Sequence, residues 1–273
     1  MKLSIITINY NNRNGLRETI ESVISQTNKD FEWVIIDGGS TDGSKELIEQ
    51  NSKSISYFVS ESDTGIYQAM NKGIVASHGE YLLFLNSGDS LFEKDTIENV
   101  LPLLSNVDIY VGKIQSIGKL NETIEEQSDF SPEGVLNKLT FTWIPHQASF
   151  FKRNVFEKYG IYREDMKIAS DWWFYFCTLV LGKASIASLP LTIAKYDTNG
   201  ISHSHRAQAM EEQEKLLNEN PAISTYYHFY KNNKDIVEAI KGCKFFFLLF
   251  RLYFYVYRKF HRRDTENHPL HMV

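Results

Sequence analysis

The sequence has 273 residues, 42% of them hydrophobic and 23% charged, the balance of a soluble globular chain long enough to bury a substantial core. Its two cysteines, Cys177 and Cys243, exclude a disulfide framework and fit a reducing compartment. The net charge of −5 divides into −10 over residues 1–240, +7 over 241–263 and −2 over 264–273, which gives the main body no electrostatic basis for binding nucleic acid and sets the tail apart.

The run at Met1 to Thr7 is too short for a signal peptide and has no cleavage site, so export is not expected. Leu3 to Ile8, rich in β-branched residues, predicts a buried strand that runs into the polar loop Asn9-Tyr10-Asn11-Asn12. From Gly15 to Gln26, Leu16, Ile20, Val23 and Ile24 fall on one helical face. Phe31 to Ile36 predicts the next strand, followed by Asp37-Gly38-Gly39-Ser40-Thr41-Asp42-Gly43-Ser44, whose glycines permit a tight turn and close approach of a ligand to backbone. Lys45 to Gln50 opens a helix. Ile55 to Ser60 predicts a third strand, ended by Glu61-Ser62-Asp63-Thr64-Gly65-Ile66-Tyr67, and Ala69 to Ser77 a further helix. The apolar run Tyr81 to Leu85 predicts a fully buried central strand.

Strand and helix thus alternate four times across short loops, the pattern of a mostly parallel sheet covered on both faces. Asp37, Asp63 and Asp89 each follow a strand and would share one edge of that sheet. Ligands of open α/β sheets sit outside the carboxyl ends of the strands, which makes Asn86-Ser87-Gly88-Asp89 an expected ligand turn. There Asp89 is placed to hold a hard divalent cation and Gly88 to leave room for a phosphate. Asp and Gly fit equally well a plain turn before a helix starting near Asp95.

Four stretches in this order, Leu3 to Asn12, Val34 to Gly43, Asp63 to Gly73 and Leu83 to Asp89, resemble the family-2 inverting glycosyltransferases. The resemblance extends over about residues 1–205. It implies the glycosyltransferase-A fold, a Rossmann-like sheet that binds a nucleotide-sugar and a divalent metal. By position, Thr7, Asn9 and Tyr10 are similar to the residues around the base, with Tyr10 a stacking partner, and Asp37 to the carboxylate that accepts from it. An acceptor there favours the imide N–H of uracil or thymine over cytosine. Ser40 is placed for a phosphate or ribose, Asp63 matches a second acidic position on the nucleotide, and Lys72 follows one helical stretch later, where a solvated helix residue is the alternative. The family's Asp-x-Asp metal motif is thinned: Asn86 and Gly88 stand where acids are often found, leaving Asp89 to hold Mg²⁺ or Mn²⁺ together with diphosphate oxygens and water.

Beyond this, Asp95 to Leu104 predicts a helix, Asp108 to Gly112 a strand, and Gly118 to Ser131 a loop or weak strand pair. His146 and Gln147 resemble a His-Gln pair that precedes a strand near the acceptor site; a hydrogen-bonded structural histidine after Pro145 is the alternative. An apolar helix begins at Ser170 or Asp171. Asp171 fits a plain N-cap, and it also matches the catalytic base of the family, which takes the proton of an attacking hydroxyl. Trp172 and Trp173 would line a sugar platform, with a place in the core the alternative for one of them. Ala184 to Lys195 predicts a strand, and the Gly200-Ile201-Ser202 loop beyond it resembles the loop that closes over the diphosphate in this family, which would bring His203 to phosphate or metal; a surface histidine is the alternative. Arg206 to Glu219 predicts a polar helix. In 241–263, Lys244, Arg251 and Arg258 recur every seven residues among aromatic and aliphatic ones, a basic amphipathic pattern for the surface of an anionic membrane and too short to span it. A packing helix is the alternative.

These readings predict an α/β protein with a Rossmann-like, mostly parallel central sheet over residues 1–205 and a helical extension over 206–273. The expected activity is metal-dependent (Mn²⁺ or Mg²⁺) inverting hexosyl transfer from a UDP-sugar to a saccharide or lipid-linked acceptor of surface-polysaccharide biosynthesis. The expected location is the cytoplasmic face of the membrane, as a peripheral protein. A nucleotidyltransferase would need a Gly-rich, basic phosphate loop where this chain has Asn9 to Asn12. A non-catalytic membrane-associated scaffold of the same fold is the other alternative.

Overall fold

The computed structural model describes residues 1–117, 123–125, 129–197 and 206–233. Its first half follows the alternating pattern. Strands β1 (Leu3–Asn9), β2 (Glu32–Asp37), β3 (Tyr57–Ser60) and β4 (Tyr81–Phe84) are joined by helices α1 (Arg13–Ile24), α2 (Ser44–Gln50) and α3 (Ile66–Ala76). Every residue of β1, β2 and β4 is buried, which explains continuous apolar runs in place of alternation. Even-numbered residues (Ile6, Val34, Leu82) face a core shared with Tyr67, Met70 and Ile74 of α3. Odd-numbered ones (Ile5, Trp33, Leu83) face Leu16, Ile20 and Val23 of α1.

The remaining strands are β5 (Ser90–Leu91), β6 (Ile109–Ile117), β7 (Thr123–Glu125), β8 (Ser149–Lys152) and β9 (Ile186–Asp197). The sheet order is β3-β2-β1-β4-β8-β6-β9-β5, with β7 beside β6. β1 pairs in parallel with β2 and β4, as β2 does with β3. β8 runs antiparallel between β4 and β6. The chain moves outward from β1 to β3 and then returns past β1 to β4. The carboxyl ends of β1 and β4 therefore flank the switch point where open sheets bind ligands.

Further helices are α4 (Thr96–Val100), α5 (Pro132–Phe141), α6 (Arg153–Tyr159), α7 (Ser170–Tyr175), α8 (Arg206–Asn218) and α9 (Pro221–Asn232). The helix expected over 95–104 stops at Val100 and continues as a 3₁₀ turn, because Pro102 has no N–H to donate. The strand expected to end at Gly112 runs on to Ile117 through a bulge opposite the Pro190 segment of β9. A Cβ at Gly112 would lie 2.2 Å from Ile193 Cγ1, so only glycine lets β9 approach there. The residues expected as a weak strand pair supply β7, antiparallel to β6. The 200–202 loop, His203, Cys243 and segment 241–263 lie outside the described residues. No described helix is long and apolar enough to cross a membrane.

Candidate active site

The crevice at the switch point is built from strand ends. Asp37, the last residue of β2, is fully buried and accepts four hydrogen bonds: Asn9 Nδ2 at 2.7 Å, Ser40 Oγ at 2.6 Å, Ser40 N at 2.9 Å and Ser60 Oγ at 2.6 Å. Burial raises its pKa, but the bonds from Ser40, Ser60 and Asn9 outweigh that and leave it below the usual carboxylate value. A carboxylate has about four lone-pair sites, so Asp37 is saturated by Ser40 of its own loop and by Asn9 and Ser60 of the neighbouring strands. It ties the ends of β1, β2 and β3 together.

Beside it lies an open cradle. Tyr10 is 65% exposed. A Cβ on Gly38 would stand 2.7 Å from Asp63 Oδ2 and 3.1 Å from Tyr10 Cδ2, so ring and carboxylate converge over a position that only glycine leaves clear. Asp63 Oδ1 accepts from Gly65 N at 3.1 Å. Burial raises the Asp63 pKa, and nearby Asp37 adds to this, against Gly65 N–H and Lys72. Lys72 pairs with Glu61 at 2.7 Å. Thr7, expected near the base, is instead a core residue: it is fully buried, and its hydroxyl accepts the Trp33 indole N–H at 3.1 Å.

The turn after β4 is clamped by α1. Thr19 donates to the Asp89 carbonyl at 2.6 Å and accepts from Gly88 N at 3.1 Å, and Asn12 Nδ2 donates to the Ser87 carbonyl at 3.0 Å. Gly88 has φ +104°, a conformation that favours glycine, and the space on its Cβ side is nearly open. Three buried amide oxygens at this edge, Asn9 Oδ1, Asn86 Oδ1 and Gln147 Oε1, have no hydrogen-bond partner among the described residues. Unsatisfied buried acceptors are costly unless a ligand engages them.

No group of three or more His, Cys, Asp or Glu side chains among the described residues forms a metal cluster. Asp89, buried in this turn, and the orphan Asn86 oxygen are hard oxygen donors of the kind that suit Mg²⁺ or Mn²⁺. They fit a cation whose other positions are filled by substrate oxygens and water.

Asp171 sits in the first turn of α7 with a quarter of its side chain exposed. His146 Nδ1 lies 3.3 Å from Asp171 Oδ2, and Asn86 Nδ2 lies 3.3 Å from His146 Nε2. With the Asn86 amide donating to Nε2, the ring proton is on Nδ1 and points at Asp171. The Tyr67 hydroxyl lies 2.9 Å from Asp171 Oδ1 and 2.6 Å from the Ile168 carbonyl. Burial raises the Asp171 pKa, yet His146, the Trp172 N–H and Tyr67 together hold it below the usual carboxylate value. Burial and the Asp171 charge push Tyr67 well up, so it stays a protonated donor. Gln147 is buried beside His146.

Trp172 and Trp173, one of them expected on a sugar platform, are both core residues: both are buried, and the Trp172 indole N–H donates to the Leu139 carbonyl at 2.7 Å. The Trp172 ring lies 5.5 Å from Phe176, whose turn continues α7 in wider π-helical form. The structure thus gathers Asn9, Asp37 and Ser40 at one end of the crevice, Tyr10 and Asp63 over Gly38, and Asn86, His146 and Asp171 in one chain. Thr19, which lies in none of the four stretches, and Tyr67, which lies in one of them but carries no role expected from sequence, belong to the same arrangement.

The family model described as glycosyl transferase family 2 matches residues 4–169. An uncharacterised glycosyltransferase of Mycobacterium tuberculosis is 32% identical over 213 residues, covering 75% of this chain and 78% of its own. A glycosyltransferase of Mycobacterium bovis, named for PGL/p-HBAD biosynthesis, is 32% identical over 178 residues, covering 63% and 67%. The Staphylococcus aureus TarS 1–349 structure in complex with UDP superposes with a TM-score of 0.60 at 20% identity, covering 72% of this chain and 60% of that one. The mannosyltransferase PcManGT of Pyrobaculum calidifontis, in complex with GDP-Man and Mn²⁺, gives 0.60 at 15% identity, covering 89% and 75%. The likeness to these two structures is one of fold, a glycosyltransferase-A sheet with a helical C-terminal part. The chain spans about three fifths of the length of the TarS fragment.

Proposed function

The chain belongs to glycosyl transferase family 2, and from that membership we propose that it moves a sugar from a UDP-sugar to an acceptor hydroxyl with inversion at the anomeric carbon. One observation carries this reading. A continuous path, Asn86 to His146 to Asp171, links the turn that ends in Asp89 to the Asp171 carboxylate.

In this reading Tyr10 stacks on the base over Gly38. Asp63 Oδ2 is the acceptor open to an imide N–H, which favours uracil. Asp37 receives the base only if Ser40 or Ser60 turns its hydroxyl away; as it stands, it orders Asn9 and Ser40 toward the ribose and diphosphate. Lys72 reaches phosphate on leaving Glu61. Asp89, with diphosphate oxygens, would hold Mn²⁺ or Mg²⁺, whose chemistry is to neutralise charge on the departing diphosphate. Asp171 takes the acceptor's hydroxyl proton as that oxygen attacks the anomeric carbon and the bond to the UDP oxygen breaks. Attack and departure on opposite sides give inversion in one displacement. His146 and Tyr67 keep Asp171 ionised and aimed, and Gln147 offers its free oxygen to the acceptor.

The acceptor we propose is a lipid-linked saccharide at the cytoplasmic face of a membrane, a reading supported by the basic, aromatic composition of 241–263. A panel of nucleotide-sugars assayed for nucleotide release with Mn²⁺ tests the activity. UDP release from one UDP-sugar is expected, and release from none would reduce the protein to a scaffold. Deleting residues 241–273 should abolish partition onto anionic vesicles; unchanged partition would defeat the membrane assignment.

A further inference from the structure

The loop that delivers Asp171 is held from outside the crevice. Helix α7 has Ala169 at its N-cap, a side chain with no oxygen to accept from the helix's free N–H groups. The neighbouring amides are satisfied from α8. Glu212 Oε1 accepts from Lys167 N at 3.0 Å, and Oε2 accepts from Ile168 N at 2.9 Å and Ala169 N at 3.0 Å. Three consecutive backbone donors thus converge on one carboxylate, a compact nest whose bonds to a charged group are among the stronger kind.

The same helix grips the loop at its other end. Arg163 donates to Glu219, just past α8, at 2.6 Å and to Asp165 at 2.7 Å, and Lys215 lies 3.5 Å from Asp165. Between these holds, Arg163 N donates to Ser170 Oγ at 2.6 Å, and Tyr67 contacts the Ile168 carbonyl as well as Asp171. The backbone two to four residues before Asp171 therefore has its direction set by Glu212.

We propose that Glu212 is a positioning residue for Asp171, so that α8, which lies beyond the span matched to the family, is part of the catalytic unit. The inference rests on the reading of Asp171 as the base. Without the carboxylate, residues 167–169 turn their N–H groups to water and the first turn of α7 shifts. A displacement of about 1 Å at a reacting group costs up to roughly 10²-fold in rate. The donor contacts on β1 to β4 are untouched, so the loss belongs in kcat.

The test compares full-length wild type, Glu212→Ala, Glu212→Gln and, as a control on the exposed face of the same helix, Glu211→Ala. Expected are a fall of about 10- to 100-fold in kcat for Glu212→Ala with donor KM changed less than about twofold, and an intermediate kcat for Glu212→Gln, which keeps one acceptor oxygen. Glu211→Ala should match wild type. Hydrogen exchange at the amides of 167–169 should accelerate in Glu212→Ala, and Glu212→Gln supplies the same readout if the alanine variant does not fold. A kcat within twofold of wild type, a rise in donor KM that accounts for the loss, or unchanged exchange at these amides would overturn the proposal. A wild type inactive on every nucleotide-sugar would overturn the functional reading instead, and the exchange measurement would then decide the role of Glu212 alone.

Discussion

Replacing Asp37 by Asn tests whether the nucleotide end of the crevice is organised by one buried charge. The carboxylate serves four donors, and the amide cannot serve them all. With its oxygen kept at Oδ1 it still accepts from Asn9 and Ser40 Oγ, but its NH₂ then faces the Ser40 backbone N–H. Turned the other way, it needs Asn9 to flip and offer its unpartnered Oδ1. Either arrangement loses at least one bond to a charged group, worth about 1.5–3 kcal/mol. We expect a loss of about 2–3 kcal/mol at pH 7, seen in denaturant unfolding with an unchanged m-value.

The pH dependence follows from the sign of the shift. The folded pKa lies below the ordinary carboxylate value, so the stabilisation is present above that ordinary value and is lost as pH falls through the folded pKa. The gap between wild type and Asp37→Asn should therefore close in acid. A penalty below about 0.5 kcal/mol at pH 7, against the lost-bond magnitude above, or one independent of pH, would mean that the Asp37 charge does not organise this end of the sheet.

Two further outcomes concern the crevice itself. Gly38→Ala puts a methyl 2.7 Å from Asp63 Oδ2 at a position without strained backbone; UDP affinity by calorimetry should weaken at least about tenfold, about 1.4 kcal/mol, while the melting temperature holds, and unaltered affinity would remove the cradle from the binding site. His146→Ala strips Asp171 of a bond that opposes burial, so its pKa rises, less of it is ionised in mild acid, and the acid limb of kcat against pH moves upward; an unmoved limb would separate the two residues.

The parallel half of the fold was legible because β1, β2 and β4 are buried on both faces and read as unbroken apolar runs. The three strand-end acids could be located for the same reason. Helices α5 and α6 have no counterpart among the expected elements and α9 only the general helical extension over 206–273, although Ser131-Pro132 and Asn220-Pro221 place a capping residue before a proline at the start of α5 and α9. What no local pattern carries is pairing across the chain. Thr19 meets Asp89 from 70 residues away, Tyr67 meets Asp171 from 104, and Glu212 meets Ile168 from 44. Trp172 and Thr7 fail for the opposite reason: a motif position names a neighbourhood, but the side-chain direction is set by packing partners, here Leu139 and Trp33.

Whether Asp171 takes the proton of the attacking hydroxyl is read from the rate of UDP release with acceptor present, compared between wild type and Asp171→Asn. A general base contributes about 10²- to 10⁴-fold, so a loss in that range with unchanged UDP affinity is the predicted result. Equal rates in the two proteins would contradict the account.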